Sequence, residues 1–232
     1  MPLYIVATPI GNLADITYRA VTILRDADLI CAEDTRKSRV LLEHYGITTQ
    51  MTAYHDFNKE RVTPNLIQSL KDGTTIALIS DAGTPGIADP AFNLVRAALR
   101  EQLPVIPIPG PSAHSSALVV SGLPTDRFVF ENFLPHKSAQ RRRLFAALRE
   151  EPRTVIFYET PHRIIKVLQE LGEELGDVAV VIGRELTKLH EEVMRGTPKM
   201  LLEQFTRKKP RGEMVVLINV RIREVFPSEE VE

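Results

Sequence analysis

Short, uninterrupted apolar runs alternate with helical patterns in the first half of this 232-residue chain, and this alternation constrains its fold most strongly. The runs are rich in Val, Ile and Leu, as expected of strands buried on both faces of a parallel sheet. They are Leu3–Ala7, Leu29–Ala32, Ile76–Ile79 and Val105–Ile108. Between them, apolar residues recur with helical spacing, as at Ala91, Leu94, Val95 and Ala98. The first half therefore predicts an α/β domain with a largely parallel sheet.

Turn-forming residues over Val120–Asp126 separate this half from a second series of strand and helix signals. Apolar residues at positions 164, 168, 171 and 175 predict a helix in that series. Its predicted strands are Arg127–Phe133, Thr154–Tyr158, Val178–Ile182 and Met214–Val220. We place the domain boundary so that residues 1–118 form an N-terminal α/β domain and residues 119–232 form a C-terminal α/β domain.

Composition excludes several classes of protein. With 44% hydrophobic and 25% charged residues, the chain has the profile of an ordinary globular protein. No apolar run approaches a membrane span, and the N-terminus shows no basic leader, so we expect a cytoplasmic protein without a signal peptide. The single cysteine, Cys31, excludes an internal disulfide, and the scattered histidines lead us to expect no metal site. A net charge of −1 argues against a protein that coats nucleic acid non-specifically.

Four segments follow the ends of predicted strands, where an α/β domain places its ligand. Thr8–Asn12 lacks the G-x-G-x-x-G spacing, which disfavours a nicotinamide-dependent dehydrogenase. The small residues of Ser80–Pro90 let backbone approach a ligand, and the prolines of Pro107–Ala113 stiffen the chain. Ala32–Arg36 sets two carboxylates beside an arginine, which suits substrate binding, proton transfer or a plain helix cap. Each segment alone fits a simple turn, but together they predict a cleft at one edge of the sheet.

Taken in order, these loops (TPIGN, AEDTR, SDAGTP and PGPSA) resemble those of the tetrapyrrole methylase superfamily. Phe157–Arg163, Gly183–Lys188 and Arg211–Met214 extend the resemblance over nearly the whole chain. Because TPIGN departs from the glycine-richer first loop of corrin and porphyrin methylases, the chain is most similar to the branch of ribosomal RNA small subunit methyltransferases I. The resemblance implies two α/β domains with S-adenosylmethionine in a cleft between them.

The same resemblance implies a homodimer and 2′-O-methylation of a cytidine in 16S ribosomal RNA of the small ribosomal subunit. Some members of the branch continue into a C-terminal helical domain, whereas this chain ends soon after its last predicted strand. We therefore expect that whatever such a domain adds to substrate affinity comes from elsewhere in the chain or from a partner.

The resemblance also assigns roles to individual residues. The proton acceptor stays open among Asp34, His55 and Lys188, since burial or a neighbouring charge can shift a pKa into a useful range. Each of the three also fits a structural role, as a helix cap, a loop hydrogen-bonder and an ion-pair partner respectively. The implied cofactor contacts are Pro9, Ser80, Asp81, Ala82, Gly83, Pro109, Gly110, Ser112, Ala113, Tyr158, Arg184, Gly212, Glu213 and Met214.

Two basic clusters predict where RNA phosphates would bind, although either could be a solvated face. One joins His136–Lys137 to Arg141–Arg143, and the other joins Arg207–Lys209 to Arg211. The predicted substrate-binding residues are Asn12, Glu33, Arg36, Lys137, Arg141, Arg142 and Arg143. Two alternatives stay open. One is a methyltransferase of the same superfold that acts on a small-molecule porphyrinoid, which would need an enclosed apolar pocket and no basic clusters. The other is a non-catalytic cofactor-binding module.

Overall fold

The computed structural model describes residues 1–207 and 209–222 of the chain. Contacts divide the chain into two compact units, Met1–Ser112 and Ala113–Glu232. The boundary predicted between residues 118 and 119 lies inside the first helix of the second unit, Ala113–Ser121. In the two described ranges, no helix is both long enough and apolar enough to cross a membrane.

The first unit is a five-stranded, fully parallel sheet flanked by helices. Its strands are β1 Leu3–Val6, β2 Leu29–Ala32, β3 Met51–Ala53, β4 Ile76–Ile79 and β5 Val105–Ile108, in the spatial order β3-β2-β4-β1-β5. Its helices are α1 Tyr18–Asp26, α2 Thr35–His44, α3 Lys59–Lys71 and α4 Ala91–Arg100, with a short 3₁₀ helix at Leu13–Asp15. The predicted parallel α/β domain is confirmed.

Burial on both faces explains why the strands of this sheet read as continuous apolar runs. Alternate residues of β1, β2 and β4 enter two separate cores, as with Leu3 in one and Val6 in the other. Helices α1 and α2 cover one face, and α3 and α4 cover the other. The edge strand β3 was not predicted, because its three residues are only half-buried and form no continuous apolar run.

The second unit is a five-stranded mixed sheet with the spatial order β6-β7-β10-β8-β9. Its strands are β6 Phe128–Phe133, β7 Thr154–Glu159, β8 Ala179–Arg184, β9 Glu192–Gly196 and β10 Met214–Asn219. Its helices are α5 Ala113–Ser121, α6 Ser138–Ala147, α7 Ile164–Leu175 and α8 Pro198–Arg207, with a short 3₁₀ helix at Leu148–Glu150. Strands β6 and β7 are parallel, whereas β10 is antiparallel to both β7 and β8, and β9 is antiparallel to β8.

Helices α6, α7 and α8 cover one face of this sheet, where Phe157, Ile182 and Val216 enter a single apolar core. The predicted helix over residues 164–175 is α7 and lies against that core. Strand β9 was not predicted, since its sequence EVMRG mixes charged and apolar residues at the sheet edge. Because β7 and β8 both run antiparallel to β10, their carboxyl ends meet the start of β10 at one edge.

Candidate active site

The carboxyl edge of the first sheet, called here the first edge, brings together the four loops that the sequence singled out. Thr8 and Gly83 exchange backbone hydrogen bonds of 2.9 and 3.0 Å, which join the loops after β1 and β4. The hydroxyl of Thr84 donates to the carbonyl oxygen of Pro111 at 3.2 Å, which adds the loop after β5. Because all the strands are parallel, their loops emerge side by side.

A close approach of backbone to side chain fixes the identity of Gly110. A Cβ atom at this position would lie 3.0 Å from the Cβ of Ala7, closer than packed carbon atoms normally come. Glycine therefore lets the loop after β5 lie directly against the end of β1. Pro109 and Gly110 are exposed along this edge, as is Ala82. The carbonyl oxygens of these residues and the amides of Ala82 and Gly110 are the backbone groups that a ligand could contact.

The carboxylate of Asp81 joins the loop after β2 to the other three. It accepts a hydrogen bond of 2.9 Å from the backbone amide of Asp34 and one of 2.6 Å from Lys37 Nζ. Both carboxylate oxygens of Asp81 are thus engaged within the protein. Ser80 and Ala82 flank it, and the hydroxyl of Ser80 donates to the carbonyl oxygen of Ala82 at 3.3 Å.

Two adjacent carboxylates in the loop after β2 have opposite properties. Asp34 caps α2 and accepts two hydrogen bonds from the Arg36 guanidinium, at 3.0 and 2.8 Å, which holds the pKa of its carboxyl well below the usual range. Glu33 is half-buried and forms no salt bridge within the described ranges. Burial, followed by the neighbouring charge of Asp81, raises the pKa of Glu33 above the usual 4.5. Glu33 is therefore the more basic of the two.

A small cavity of about 120 Å³ opens beside these loops, and residues of α2, including Lys37, Ser38 and Leu41, form part of its lining together with Pro9 and Asp81. The Ser38 hydroxyl is buried and has no hydrogen-bond partner in the part of the chain that is described. A buried hydroxyl without a partner calls for a ligand or an ordered water. The cavity is smaller than typical small-molecule sites of roughly 300 Å³ or more, so it can hold only part of a ligand.

His55 lies in the loop after β3, and Asn12 lies at the end of the loop after β1. The backbone amide of His55 donates to Asn58 Oδ1, and the side-chain amide of Asn58 donates to the carbonyl oxygen of Ala53. These two hydrogen bonds stabilise the loop after β3 internally. The Nδ1 atom of His55 is buried without a hydrogen-bond partner in the described ranges. Asn12 uses its side-chain oxygen to cap the 3₁₀ helix, accepting from the Ala14 amide.

The second sheet gathers the other set of motifs at the edge where β7 and β8 end and β10 begins, called here the second edge. Met214 pairs with Glu159 on one side and with Arg184 on the other, so Tyr158, Arg184 and Gly212–Met214 lie close together. The Arg184 guanidinium binds the carboxylate of Glu192 at 2.9 and 2.8 Å.

Lys188 lies between two carboxylates at the second edge, 3.0 Å from Glu185 and 2.8 Å from Glu213. Desolvation lowers the pKa of Lys188, but the hydrogen bonds to these two carboxylates outweigh it and raise the pKa above 10.5. A Cβ atom on Gly212 would lie 2.4 Å from the Cγ of Glu185, so this glycine makes room for the Glu185 side chain. Lys188 thus stays protonated and is poorly suited to accept a proton.

Backbone strain concentrates at both edges. Five described residues other than glycine have positive φ angles, and Glu185, Thr187 and Asn132 among them lie at the second edge. Ala88 lies in the loop after β4 at the first edge. Thr187 is β-branched, which makes its φ of 66° unusual, and its buried hydroxyl has no partner in the described ranges. Strained residues of this kind cluster at functional sites.

The three consecutive arginines of the first basic cluster occupy three different environments. Arg141 is 3% exposed, and its guanidinium binds the buried carboxylate of Glu170 at 2.7 and 2.9 Å. Arg142 binds Glu173 and Glu174 at the surface of α7. Arg143 and Lys137 are exposed and form no salt bridge within the described residues. In the other cluster Arg207, Lys209 and Arg211 are exposed, and Lys208 lies outside the described ranges.

Sequence reasoning missed Lys37, Ser38 and Thr187 as site residues. Lys37 and Ser38 directly follow the AEDTR segment at the start of α2, and Thr187 lies inside the RELTK segment. Their only signal is this proximity to a motif, because the pairing of Lys37 with Asp81 spans 44 positions. Across the two described ranges, no group of three or more His, Cys, Asp or Glu side chains is arranged to hold a metal ion.

Comparison with known proteins adds a family to this geometry. Residues 2–201 match the family model described as Tetrapyrrole (Corrin/Porphyrin) Methylases. The chain is 49% identical over 227 residues to the "Ribosomal RNA small subunit methyltransferase I" of Synechocystis sp., covering 97% of this chain and 81% of that protein. Proteins of the same name from Mesorhizobium japonicum and Thermotoga maritima are 50% and 45% identical, covering 93% and 94% of this chain and 74% and 97% of theirs.

Solved structures show the same fold at much lower identity. Diphthine synthase superposes with a TM-score of 0.75 at 17% identity, over 94% of this chain and 90% of its own. A cobalt precorrin-4 methyltransferase of cobalamin biosynthesis superposes with a TM-score of 0.68, also at 17% identity, over 94% of each chain. At such identities these structures support the two-sheet fold and nothing about the acceptor.

Proposed function

The chain belongs to the tetrapyrrole (corrin/porphyrin) methylase family, and from this we propose that it is an S-adenosylmethionine-dependent methyltransferase acting on a cytidine 2′-hydroxyl in 16S ribosomal RNA. The observation that carries the proposal is the identity of 45–50% with proteins named ribosomal RNA small subunit methyltransferase I, over 93% or more of this chain. Such identity over nearly the whole length includes both sheets and both edges.

The first edge fits part of a cofactor of this type. S-adenosylmethionine supplies a methyl group already activated on a sulfonium, so the protein must mainly bind, align and exclude water. We assign its binding at this edge to backbone groups of the exposed residues Ala82, Pro109 and Gly110, beside the cavity where the Ser38 hydroxyl has no partner in the described ranges. Since both oxygens of Asp81 are engaged, its proposed role is to hold Lys37 and the Asp34 backbone in place.

For removal of the hydroxyl proton we propose Glu33, with His55 as the second candidate. A general base works best when its pKa is not far below the pH of the reaction. Burial raises the pKa of Glu33, whereas the Arg36 guanidinium lowers that of Asp34. Lys188 would first have to lose a proton that two carboxylates stabilise. His55 stays a candidate because its Nδ1 atom has no partner within the described ranges.

Contacts to RNA phosphates are proposed for Lys137 and Arg143, whose exposed charges are not committed to salt bridges within the described ranges. Arg141 is instead a buried structural residue, and Arg142 is bound to α7. Replacing a phosphate-binding Lys or Arg lowers affinity uniformly and reduces its salt dependence. A homodimer in the cytoplasm is further proposed from the family resemblance, and sedimentation analysis of the purified protein tests the dimer.

The experiment that tests the proposed function is methyl transfer from radiolabelled S-adenosylmethionine to small ribosomal subunits and to free 16S RNA, both from cells lacking this gene. Label on a cytidine ribose supports the proposal, and the preferred acceptor shows whether assembly of the subunit matters. Label on an offered porphyrinoid, with none on RNA, would replace the RNA assignment. Cofactor binding without transfer to any acceptor would favour a non-catalytic module.

A further inference from the structure

Five aromatic rings of β6, β7 and α5 form a row on the face of the second sheet opposite its main apolar core. Neighbouring ring centroids lie 5.0 to 6.4 Å apart. In spatial order the rings, called here the aromatic row, belong to Phe128, His114, Phe130, Tyr158 and Phe133. Phe128 and Phe133 at its two ends are 43% and 50% exposed, although large aromatic side chains are usually buried.

A β-bulge places Phe133 in this row. The pairing of β6 with β7 shifts between Phe130 and Phe133, so three steps on β6 match two steps on β7. Asn132 adopts a φ of 56° at the bulge, and its side-chain oxygen accepts a hydrogen bond of 2.8 Å from the Phe133 amide. In a regular strand of the same sequence, Phe133 would point to the opposite face, since it lies three residues after Phe130 and successive side chains alternate. The β-bulge thus exposes the Phe133 ring beside Tyr158.

The segment that follows the row is held rigidly and ends in exposed positive charge. Two guanidinium groups donate hydrogen bonds to its backbone. Arg141 donates to the carbonyl oxygens of Pro135 and His136 at 2.9 and 2.8 Å. Arg163 donates to the carbonyl oxygen of Leu134 at 2.8 Å. Lys137 comes next and is exposed. An aromatic surface beside a fixed cationic group complements a nucleic-acid strand, which offers bases to stack on and phosphates to neutralise.

We propose that the aromatic row stacks unpaired bases of a single-stranded segment of the RNA acceptor, with Lys137 on its backbone. The inference rests on the proposed function and deepens it by naming the surface that selects the acceptor. Sequence-tolerant recognition of unstacked bases by aromatic side chains is common in RNA-binding proteins. Because the two exposed rings lie at opposite ends of β6, several nucleotides rather than one base are needed to reach both.

Binding of a labelled single-stranded oligoribonucleotide and of small ribosomal subunits, measured with the full chain, tests the inference. Phe128→Ala with Phe133→Ala should weaken binding by about 100-fold, roughly tenfold per ring. Phe128→Trp with Phe133→Trp retains the stacking surfaces and should bind within about threefold of the unaltered protein. As a matched control, Phe92→Ala removes a ring from α4 that is 61% exposed and should leave RNA binding unchanged. Cofactor binding, measured by calorimetry, should be the same in all variants.

Each other outcome overturns the inference in a recognisable way. If the double alanine variant sediments as a smaller species, the row is an interface with a second copy of the chain. If it loses cofactor binding, the row is part of the cofactor site. If the unaltered protein methylates ribosomal RNA and the variant binds and methylates it equally well, only this inference fails. If the unaltered protein binds no RNA, this inference and the proposed function fail together.

A second variant isolates the bulge. Asn132→Val disfavours the positive φ of the bulge, because a β-branched residue rarely adopts it, and should favour a regular strand that turns Phe133 away from the row, with a loss of RNA affinity close to that of Phe133→Ala, about tenfold. Asn132→Gly keeps the backbone conformation accessible and should retain affinity. Equal RNA affinity of Asn132→Val and the unaltered protein, with the fold intact by circular dichroism, would contradict the role of the bulge in placing Phe133.

Discussion

The first and second edges carry motifs at the ends of two different sheets and are built in different ways. At the first edge, backbone hydrogen bonds between Thr8 and Gly83 and the close contact of Gly110 with Ala7 bring three of the loops together, and the carboxylate of Asp81 adds the fourth. At the second edge, charged side chains do so, as where Lys188 lies between the carboxylates of Glu185 and Glu213.

The difference decides where proton chemistry can occur. An edge built from backbone groups can leave a titratable side chain outside any salt bridge, as Glu33 is within the described ranges. An edge built from ion pairs uses its charges to hold its own shape, because removing one partner leaves the other partly desolvated and uncompensated. We therefore expect substitutions at the second edge to affect mainly stability, and those at the first edge to affect mainly turnover.

The largest effect is expected from Arg141→Met, which removes the guanidinium from a buried pair next to the second edge. Arg141 and Glu170 have side chains 4% and 2% exposed, so the variant leaves a buried carboxylate without its partner. Loss of one member of such a pair costs about 3–5 kcal/mol of unfolding free energy. Chemical denaturation of purified protein measures the change. The neighbouring Arg142→Met is the matched control and should leave the denaturation midpoint nearly unchanged, since that side chain is at the surface.

The pH dependence of folding stability in the same variant tests the direction of the pKa shift of Glu170. Burial raises the pKa of Glu170, but hydrogen bonds from Arg141 and Ser138 outweigh it and keep the pKa below 4.5. In the unaltered protein this contribution to stability is complete above 4.5 and is lost as the pH falls through the lowered pKa. In Arg141→Met the folded-state pKa should rise, so stability should instead decrease as the pH rises through it. Parallel stability curves for the two proteins would contradict this role of the pair.

The next largest effect concerns Glu33 at the first edge. Glu33→Gln keeps the shape of the side chain but removes the proton acceptor, and should lower kcat by about 100-fold, equivalent to about 2.7 kcal/mol. The unaltered enzyme should lose activity as the pH falls through the raised pKa of Glu33, and the variant should lose this dependence. Methyl transfer to RNA measured across pH tests both expectations.

Two matched variants decide between Glu33 and the other candidates for the proton acceptor. Asp34→Asn preserves a helix-capping side chain and should reduce kcat much less than Glu33→Gln. His55→Gln should leave the low-pH limb of the rate profile in place if Glu33 is the base. A profile that is unchanged in Glu33→Gln but altered in His55→Gln would transfer the role to His55.

Most of the fold follows from local sequence, because burial on both faces gives the strands of the first sheet an unmistakable pattern. The predicted strands Leu29–Ala32, Ile76–Ile79 and Val105–Ile108 coincide with β2, β4 and β5. The two missed strands, β3 and β9, are both at sheet edges, where half-burial removes the continuous apolar run. Edge strands of this kind are recognised by their pairing partner, which a local pattern does not contain.

The site was predictable as a set of loops and not as a set of interactions. Parallel strands bring their carboxyl ends to one edge, so the grouping of the four loops followed from the predicted parallel direction of the strands. Nothing in the run of Arg141, Arg142 and Arg143 distinguishes the buried residue from the exposed one, because the difference comes from Glu170 29 positions away. The bulge at Asn132 was equally hidden, since one inserted residue changes a register without changing composition.

A smaller effect distinguishes Gly212 at the second edge from Gly110 at the first. Gly212→Ala must move the Glu185 side chain and also places a Cβ atom on a residue with φ of 79°, so a loss of about 2–3 kcal/mol is expected. Gly110→Ala meets the Cβ of Ala7 at 3.0 Å without a positive φ and should cost about 1 kcal/mol. Gly46→Ala, with a φ of 61° and nothing within 4 Å, measures the backbone cost alone. If Gly212→Ala costs no more than Gly46→Ala in thermal denaturation, the packing of Glu185 contributes nothing to the second edge.

The smallest effect should come from Lys37→Met, which removes the salt bridge between Lys37 and Asp81 at the first edge. Lys37 is 66% exposed, and surface pairs of this kind contribute roughly 0–1 kcal/mol, screened further by salt. We expect the denaturation midpoint to change little and the remaining difference to vanish at high ionic strength. A loss of about 2 kcal/mol or more of unfolding free energy would approach the cost of breaking a buried pair. The first edge would then depend on the ion pair between Lys37 and Asp81, as the second edge depends on its ion pairs. The contrast between the two edges would then lie in their ligands and not in how they are built.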